Sequence, residues 1–125
     1  MTENEIAKIL VNLFLKIHRK LGPGLLESVY EKVLCYELTK SGLQFRRQQG
    51  IKVIYDNVEM DIGFRADIIV EEKVKVELKS IQEIAPIHSK ILLTYLKITN
   101  MKLGILVNFN VELIKNGISR IANNL

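Results

Sequence analysis

The sequence predicts one α/β domain over residues 1–125, in which a mixed β-sheet is covered by helices on both faces. Three observations support this fold class. Residues 4–40 carry apolar side chains at helical spacing. Residues 44–80 change to short β-branched and aromatic runs separated by turn residues. Residues 85–99 return to a helical pattern, and the apolar run that follows, 103–109, is typical of a strand buried on both faces.

Two helices are predicted before the first strand. The first spans residues 4–20, and Pro23 with its flanking glycines ends it. Its inward-facing residues are expected to be Ile6, Ile9, Leu10, Leu13, Phe14 and Ile17. The second runs from about residue 25 to 40, and Gly42 follows its end because glycine adopts the left-handed conformation readily. Its inward-facing residues are expected to be Leu26, Val29, Val33, Leu34 and Leu38.

Turn residues divide the rest of the chain. Residues 55–57 and 71–73 are predicted turns between antiparallel strands. Pro86 is acceptable in the first turn of the third helix, where its missing N–H costs nothing. Residues 117–122 are predicted to form a short edge strand.

Composition sets broad limits on function. A net charge of +4 permits an anionic partner but does not require one. No apolar run reaches the roughly 18 residues of a membrane-spanning helix, and the acidic, amphipathic N-terminus is unlike a secretory signal. Cys35 is the single cysteine and forms no internal disulfide, so a reducing cytoplasm suits the chain. We therefore expect a cytoplasmic protein with no membrane partner.

The strands on either side of the 71–73 turn carry charged residues on one predicted face. Alternation places these apolar residues on the opposite face: Ala66, Ile68, Val70, Val74, Val76 and Leu78. The same register puts Asp67 opposite Glu77 and Arg65 opposite Lys79. Paired residues of an antiparallel ladder have Cβ atoms roughly 5 Å apart. Two carboxylates at that distance repel each other unless a proton or a cation lies between them.

This face has two interpretations. In one, Asp67, Glu77 and the main-chain carbonyl of Leu78 bind Mg²⁺, a hard cation that prefers oxygen ligands. Lys79 would then hold an activated water or a scissile phosphate, as phosphodiester hydrolysis requires. In the other, the charged face is merely solvated, because short motifs of this kind also occur by chance.

Several separated segments together resemble a known family. The segment "GLLESVY", with Gly24, Glu27 and Tyr30, matches the pattern that names the GxxExxY family. The segments "FRADIIV" and "VELKS" are similar to its strand pair, "HSKILLTYLK" to its helix and "LGILVNF" to its next strand. This family is placed in the PD-(D/E)XK superfamily. The resemblance implies a restriction-endonuclease-like αβα sandwich and a nuclease that uses Mg²⁺, with Mn²⁺ as the alternative.

Functional residues follow from the resemblance position by position. Asp67 and Glu77 correspond to the two metal-binding acids and Lys79 to the lysine of the motif, while Glu27 resembles a helix-borne glutamate of such sites. Tyr95 matches the tyrosine of the family's helix. The chain departs from the family at Ile91, where a glutamine is typical four residues before that tyrosine. His88 and Lys90 are candidates to compensate for the missing amide.

The sequence thus predicts a Mg²⁺-dependent nuclease acting on DNA or RNA. Arg46, Arg47 and Lys97 are candidate phosphate contacts, which position a nucleic acid without specifying its sequence. A chain of this size leaves little room for a recognition module, so a homodimer or a partner protein is expected. The alternative is a module of the same fold that binds nucleic acid or a protein with little or no catalysis. A purely structural dimer leaves the two facing carboxylates without a purpose.

Overall fold

The computed structural model describes the backbone of residues 1–125 and all side chains except those at 49, 51–52 and 61–65. The helices are α1 (Glu3–Leu21), α2 (Glu27–Lys40) and α3 (Pro86–Thr99), with a short 3-10 helix at Ile114–Gly117. The strands are β1 (Phe45–Tyr55), β2 (Val58–Val70), β3 (Val74–Lys79), β4 (Leu103–Asn108) and β5 (Ile118–Ala122). The predicted fold class is confirmed, and so is the predicted order of helices and strands.

The sheet is mixed and its strands follow the order of the chain, β1-β2-β3-β4-β5. β3 and β4 are parallel, whereas every other neighbouring pair is antiparallel. A parallel pair needs a long crossover connection, and α3 supplies it. Because β3 lies at the centre of the sheet, its last residues reach an edge that is flanked by the starts of two helices.

One face of the sheet is covered by α1 and α2. Thr2 begins α1 with a reciprocal capping box to Glu5, and the helix buries Phe14 and Ile17. α2 buries Leu34 and Leu38 in the same cluster. The sheet contributes these residues to it: Ile68, Val70, Val74, Val76, Leu78, Leu103, Ile105 and Val107. Cys35 lies in this cluster too, and burial raises the pKa of its thiol.

Two of the inward residues predicted for α2 are wrong. Leu26 is 74% exposed and Val29 is 37% exposed. The helix begins only at Glu27, so Leu26 is its N-cap in extended conformation and does not share the buried stripe. Leu26 lies outside the helix, so the helical spacing that predicts its burial does not apply to it.

α3 covers the other face of the sheet. Leu92, Tyr95 and Leu96 pack there with Ile69 and Leu106. Every residue of β4 is buried, which confirms the prediction of a strand covered on both faces. α3 therefore completes the αβα sandwich.

The predicted register of β2 and β3 is confirmed where the two strands pair. Ile68 lies opposite Val76, and Val70 opposite Val74. The prediction that Ala66 shares their face is wrong, because Ala66 packs in the α3 cluster instead. The alternation of β2 therefore breaks at Asp67, next to the last paired residue.

Candidate functional site

β2 and β3 stop pairing at the candidate site. The last paired residues are Ile68 and Val76. Beyond them the main-chain N–H of Leu78 donates to Oδ2 of Asp67 at 2.8 Å. A side-chain carboxylate thus takes the place of a ladder carbonyl, and the strands separate around it. The predicted pairing of Arg65 with Lys79 falls on a side chain outside those that the structure describes.

The carboxyl groups of Asp67 and Glu77 are close enough to act on each other electrostatically. Burial raises the pKa of Asp67 to about 7, and the negative charge of Glu77 acts in the same direction. The N–H of Leu78 opposes this shift, because it stabilises the ionised form. Asp67 therefore binds a proton more readily than an ordinary aspartate does.

Glu77 is held by a lysine that sequence reasoning missed. Nζ of Lys75 lies 2.6 Å from Oε2 of Glu77 and 4.1 Å from the centroid of the Tyr95 ring. Lys75 is 0% exposed. Lys75, Glu77 and Lys79 alternate along β3, so their side chains are expected on the same face of the sheet. Because α3 covers that face, Lys75 is buried and does not reach solvent.

Lys79 is half-buried at the end of β3. It lines a small cavity of about 70 Å³ together with Glu77, His88, Ile91 and Leu92. Ile91 is 40% exposed and brings no polar atom to this cavity. Nδ1 of His88 accepts from the N–H of Ala85 at 2.9 Å, so one ring nitrogen is already used to cap α3. Lys90 is exposed and does not line this cavity.

A second cavity, of about 150 Å³, lies beside Asp67 on the α2 side. Its lining residues are Glu27, Ser28, Glu31, Gln48, Asp67 and Leu78. Glu27 is the first residue of α2, where a negative charge is favourable. The structure therefore brings Glu27 to the same cavity as Asp67, while Glu77 and Lys79 line the cavity on the α3 side.

The segment before α2 explains why Gly24, Glu27 and Tyr30 occur together. Gly24 has φ +97°, in the region that favours glycine. The Tyr30 hydroxyl donates to the carbonyl of Gly22 at 2.6 Å and accepts from the N–H of Leu25 at 3.2 Å. The pattern thus folds the chain back over the start of α2, where Glu27 lines the cavity beside Asp67.

Contacts to the rest of the fold hold this segment in place. The Tyr30 ring stacks on Phe109, just after β4, with centroids 4.3 Å apart. The Ser80 hydroxyl, just after β3, donates to the carbonyl of Leu25. Both strand ends that form the edge of the site are thereby tied to the start of α2.

The two predicted phosphate-binding arginines have acidic partners. Arg47 pairs with buried Glu31 at 2.6 Å, and Arg46 pairs with Glu72 at 2.7 Å on the surface. Gln48 donates its side-chain amide to Glu31 at 2.7 Å and has φ +50°, unusual for a non-glycine residue within a strand. Sequence reasoning missed Glu31 and Gln48, because neither forms a recognisable motif.

Tyr95 and Lys97 lie at different depths on α3. Tyr95 is 3% exposed, and burial raises the pKa of its hydroxyl. It meets the site through Lys75, which lies over its ring. Lys97 is exposed. Of the predicted site residues, Tyr95 is therefore a buried support and Lys97 a surface charge.

Asn108 is a second residue that the sequence did not single out. It is buried at the end of β4. Its side chain accepts from the N–H of Ile81 at 3.1 Å and donates to the carbonyl of Ile81 at 2.9 Å. This bidentate contact fixes the segment that follows Lys79 and leads to α3.

The donor chemistry of the site fits a hard divalent cation. Mg²⁺ is commonly held by one or two carboxylates and keeps several waters, and Asp67 with Glu77 supplies two. Burial and the negative charge of Glu77 raise the pKa of Asp67 to about 7, and a bound cation would favour its ionised form. Among the side chains that the structure describes, no three His, Cys, Asp or Glu residues gather into a ready metal cluster. The two carboxylates therefore fit Mg²⁺ with water completing its coordination.

No helix among the described residues combines the length and the apolar character needed to cross a bilayer.

Comparison with known proteins identifies the family. No curated protein sequence matches the chain. A similar solved structure, described as the crystal structure of SSO0001, is 23% identical with a TM-score of 0.57, and the match covers 79% of this chain and 51% of that one. The chain thus spans about half the length of that protein, and the likeness shows the fold alone. Residues 4–121 match the PD-(D/E)XK nuclease superfamily, to which this chain belongs.

Proposed function

We propose that the protein is a Mg²⁺-dependent nuclease that hydrolyses phosphodiester bonds of DNA or RNA. The observation that carries this proposal is the Asp67–Glu77 pair where β2 and β3 separate, with the pKa of Asp67 raised to about 7. Two neighbouring half-buried carboxylates repel each other, and a bound cation would relieve that repulsion. Membership of the PD-(D/E)XK nuclease superfamily supports a divalent cation in that role.

Each residue has a role in this proposal. Asp67, Glu77 and the carbonyl of Leu78 would hold the ion, which when bound supplies an acidified water and neutralises charge on the phosphate. Lys79 would orient that water or the phosphate from the α3 side. Glu27 would act from the α2 side, on the cavity that it shares with Asp67. Mn²⁺ is the alternative ion, since it accepts the same oxygen ligands.

Nucleic acid would contact the exposed basic surface beside the site. Lys97 is exposed, and Arg46 pairs with Glu72 only at the surface, where ion pairs are weak. A phosphate would therefore displace Glu72 from Arg46 at little cost. The pair of Arg47 with buried Glu31 is harder to separate, so Arg47 would bind phosphate while it keeps that contact.

A cleavage assay tests the proposal. Single- and double-stranded DNA and RNA are incubated with the protein in Mg²⁺, in Mn²⁺ and in a chelator, beside the Asp67→Asn and Lys79→Ala variants. Metal-dependent cleavage that disappears in both variants is the expected result. Cleavage that persists in both variants would come from a contaminant or another site and would contradict it.

A second candidate function is a module of this fold that binds nucleic acid or a protein partner with weak or no catalysis. Ile91 favours it, because this exposed isoleucine lines the Lys79 cavity where an amide is typical of the resembling family. Binding of nucleic acid without cleavage in either metal would support this candidate.

The finer family assignment is also our proposal. The contacts of Gly24 and Tyr30 that direct Glu27 support membership of the GxxExxY family. A homodimer or a partner protein, and a cytoplasmic location, stay predictions. Light scattering on the purified protein measures whether it forms a homodimer.

A further inference from the structure

Lys75 is a buried cation beside the proposed metal site. Its side chain is 0% exposed, and lysine is almost never fully buried unless it is paired. Nζ contacts Oε2 of Glu77 at 2.6 Å on one side and the face of the Tyr95 ring, 4.1 Å from its centroid, on the other. An aromatic face attracts a cation, so both neighbours hold the ammonium where it is.

The ammonium of Lys75 lies beside the Asp67–Glu77 pair and contacts Glu77 directly. Asp67 and Glu77 interact electrostatically, so the ammonium 2.6 Å from Oε2 of Glu77 adds a positive charge to this acidic pair. The described ion pair of Glu77 is with Lys75, two residues before it, and not with Lys79, two residues after it. Lys79 instead lines the cavity on the α3 side together with Glu77.

We infer that Lys75 is an internal counter-cation of the Asp67–Glu77 pair, which holds Glu77 in place without metal and competes with a divalent ion for its carboxylate. This inference rests on the proposed metal site. It assigns Lys75 a positioning role that is separate from the acid-x-lysine motif. The lysine of that motif is Lys79, which follows Glu77, whereas Lys75 precedes it.

Two consequences follow from charge alone. A fixed positive charge a few ångströms from a divalent ion repels it, so Lys75 weakens metal binding. Removing a partner of a buried ion pair leaves the other charge uncompensated, so the metal-free protein without Lys75 is less stable. A merely structural buried lysine predicts only the second consequence.

The test measures Mn²⁺ binding by calorimetry and thermal unfolding with and without Mn²⁺. Lys75→Met removes the charge and the hydrogen bond, whereas Lys75→Gln removes the charge and keeps a donor of hydrogen bonds. Lys102→Met, a change of one exposed charge just before β4, is the matched control.

Both Lys75 variants are expected to bind Mn²⁺ about tenfold more tightly than the wild type. They should also gain more thermal stability from Mn²⁺, and the Lys102 control should match the wild type. Equal or weaker binding in both Lys75 variants would overturn the inference while leaving the metal site intact. Absence of Mn²⁺ binding in the wild type and in both Lys75 variants would contradict the proposed function as well. If Lys75→Met does not fold, Lys75→Gln decides alone.

Discussion

The main-chain N–H of Leu78 donates to Oδ2 of Asp67 at 2.8 Å, immediately beyond the last paired residues of β2 and β3. This hydrogen bond fixes a carboxylate at the point where the two strands separate. Glu77, the neighbour of Leu78 along β3, then presents its own carboxylate to Asp67. The acidic pair is thus a direct product of strand geometry, and its repulsion is what a bound cation would relieve.

The raised pKa of Asp67 predicts how the stability of the metal-free protein depends on pH. Its pKa of about 7 lies above the ordinary value of 3.8, so between these pH values the folded protein binds more protons than the unfolded chain. The contribution of Asp67 is therefore fully present below about pH 4 and is lost as the pH rises through about 7.

Urea unfolding in a chelator at several pH values between 5 and 8 measures this effect. Asp67→Asn mimics the protonated group, so the variant should lose less stability over this range than the wild type. Asp56→Asn, in the exposed turn after β1, should behave as the wild type does. The same pH dependence in the wild type and in Asp67→Asn would refute the prediction.

Tyr30→Phe removes the hydroxyl that holds the segment before α2. The phenylalanine ring can still stack on Phe109, so the change in stability reports the hydrogen bonds to Gly22 and Leu25 alone. We expect the free energy of unfolding to fall by about 2 kcal/mol, as for one or two buried hydrogen bonds.

Chemical denaturation measures this change, and Tyr36→Phe is the control because Tyr36 is 65% exposed. Cleavage by Tyr30→Phe should fall as well, since the segment directs Glu27 to the cavity beside Asp67. If the two phenylalanine variants are equally stable, the clamping role of Tyr30 is wrong.

Ile91→Gln places an amide in the cavity that Lys79 shares with Glu77. The side chain is already 40% exposed, so the polar replacement costs little stability. One added hydrogen bond to the site or substrate should raise the cleavage rate by up to about tenfold. The rate is measured under single-turnover conditions. Ile87→Gln, on the same helix and 54% exposed, is the control. An equal increase in cleavage rate in the Ile87→Gln variant would show that the position of the amide does not matter and would contradict the prediction.

Gly104→Ala tests how closely α3 packs on β4. An added Cβ would lie 2.8 Å from Cδ1 of buried Leu92. We expect a loss of about 1–3 kcal/mol, typical of overpacking. Gly50→Ala should be nearly neutral, because no atom of the described side chains or backbone lies within 4 Å of its Cβ position. Leu92→Ala should lower the free energy of unfolding less in the Gly104→Ala background than in the wild type. If the effects of the two substitutions on this free energy simply add, the predicted clash between the new Cβ and Leu92 is wrong.

Much of this architecture follows from sequence periodicity. Helical spacing, turn residues and the apolar run at 103–109 predicted the order of elements and the pairing of Ile68 with Val76. Periodicity assumes that strand alternation continues, and it therefore failed at Ala66. There the strands diverge to accommodate a side chain, which a local pattern does not encode.

The candidate site was only partly predictable for a related reason. Asp67, Glu77 and Lys79 are close in sequence and share a recognisable pattern. Lys75 was passed over because a lysine on an alternating strand normally faces water, and its burial depends on α3, which comes later in the chain. Glu31 and Asn108 likewise acquire their roles from contacts with distant segments.

A calorimetric titration of Mg²⁺ at pH 8, above the pKa of Asp67, tests the central claim most directly. The wild type should bind one ion per chain, and Asp67→Asn and Glu77→Gln should each bind at least about tenfold more weakly, since each removes a charged ligand. Glu83→Gln, an exposed acid after β3, is the matched control and should bind as the wild type does. Equal affinity in the wild type and both site variants would contradict a metal site at the Asp67–Glu77 pair.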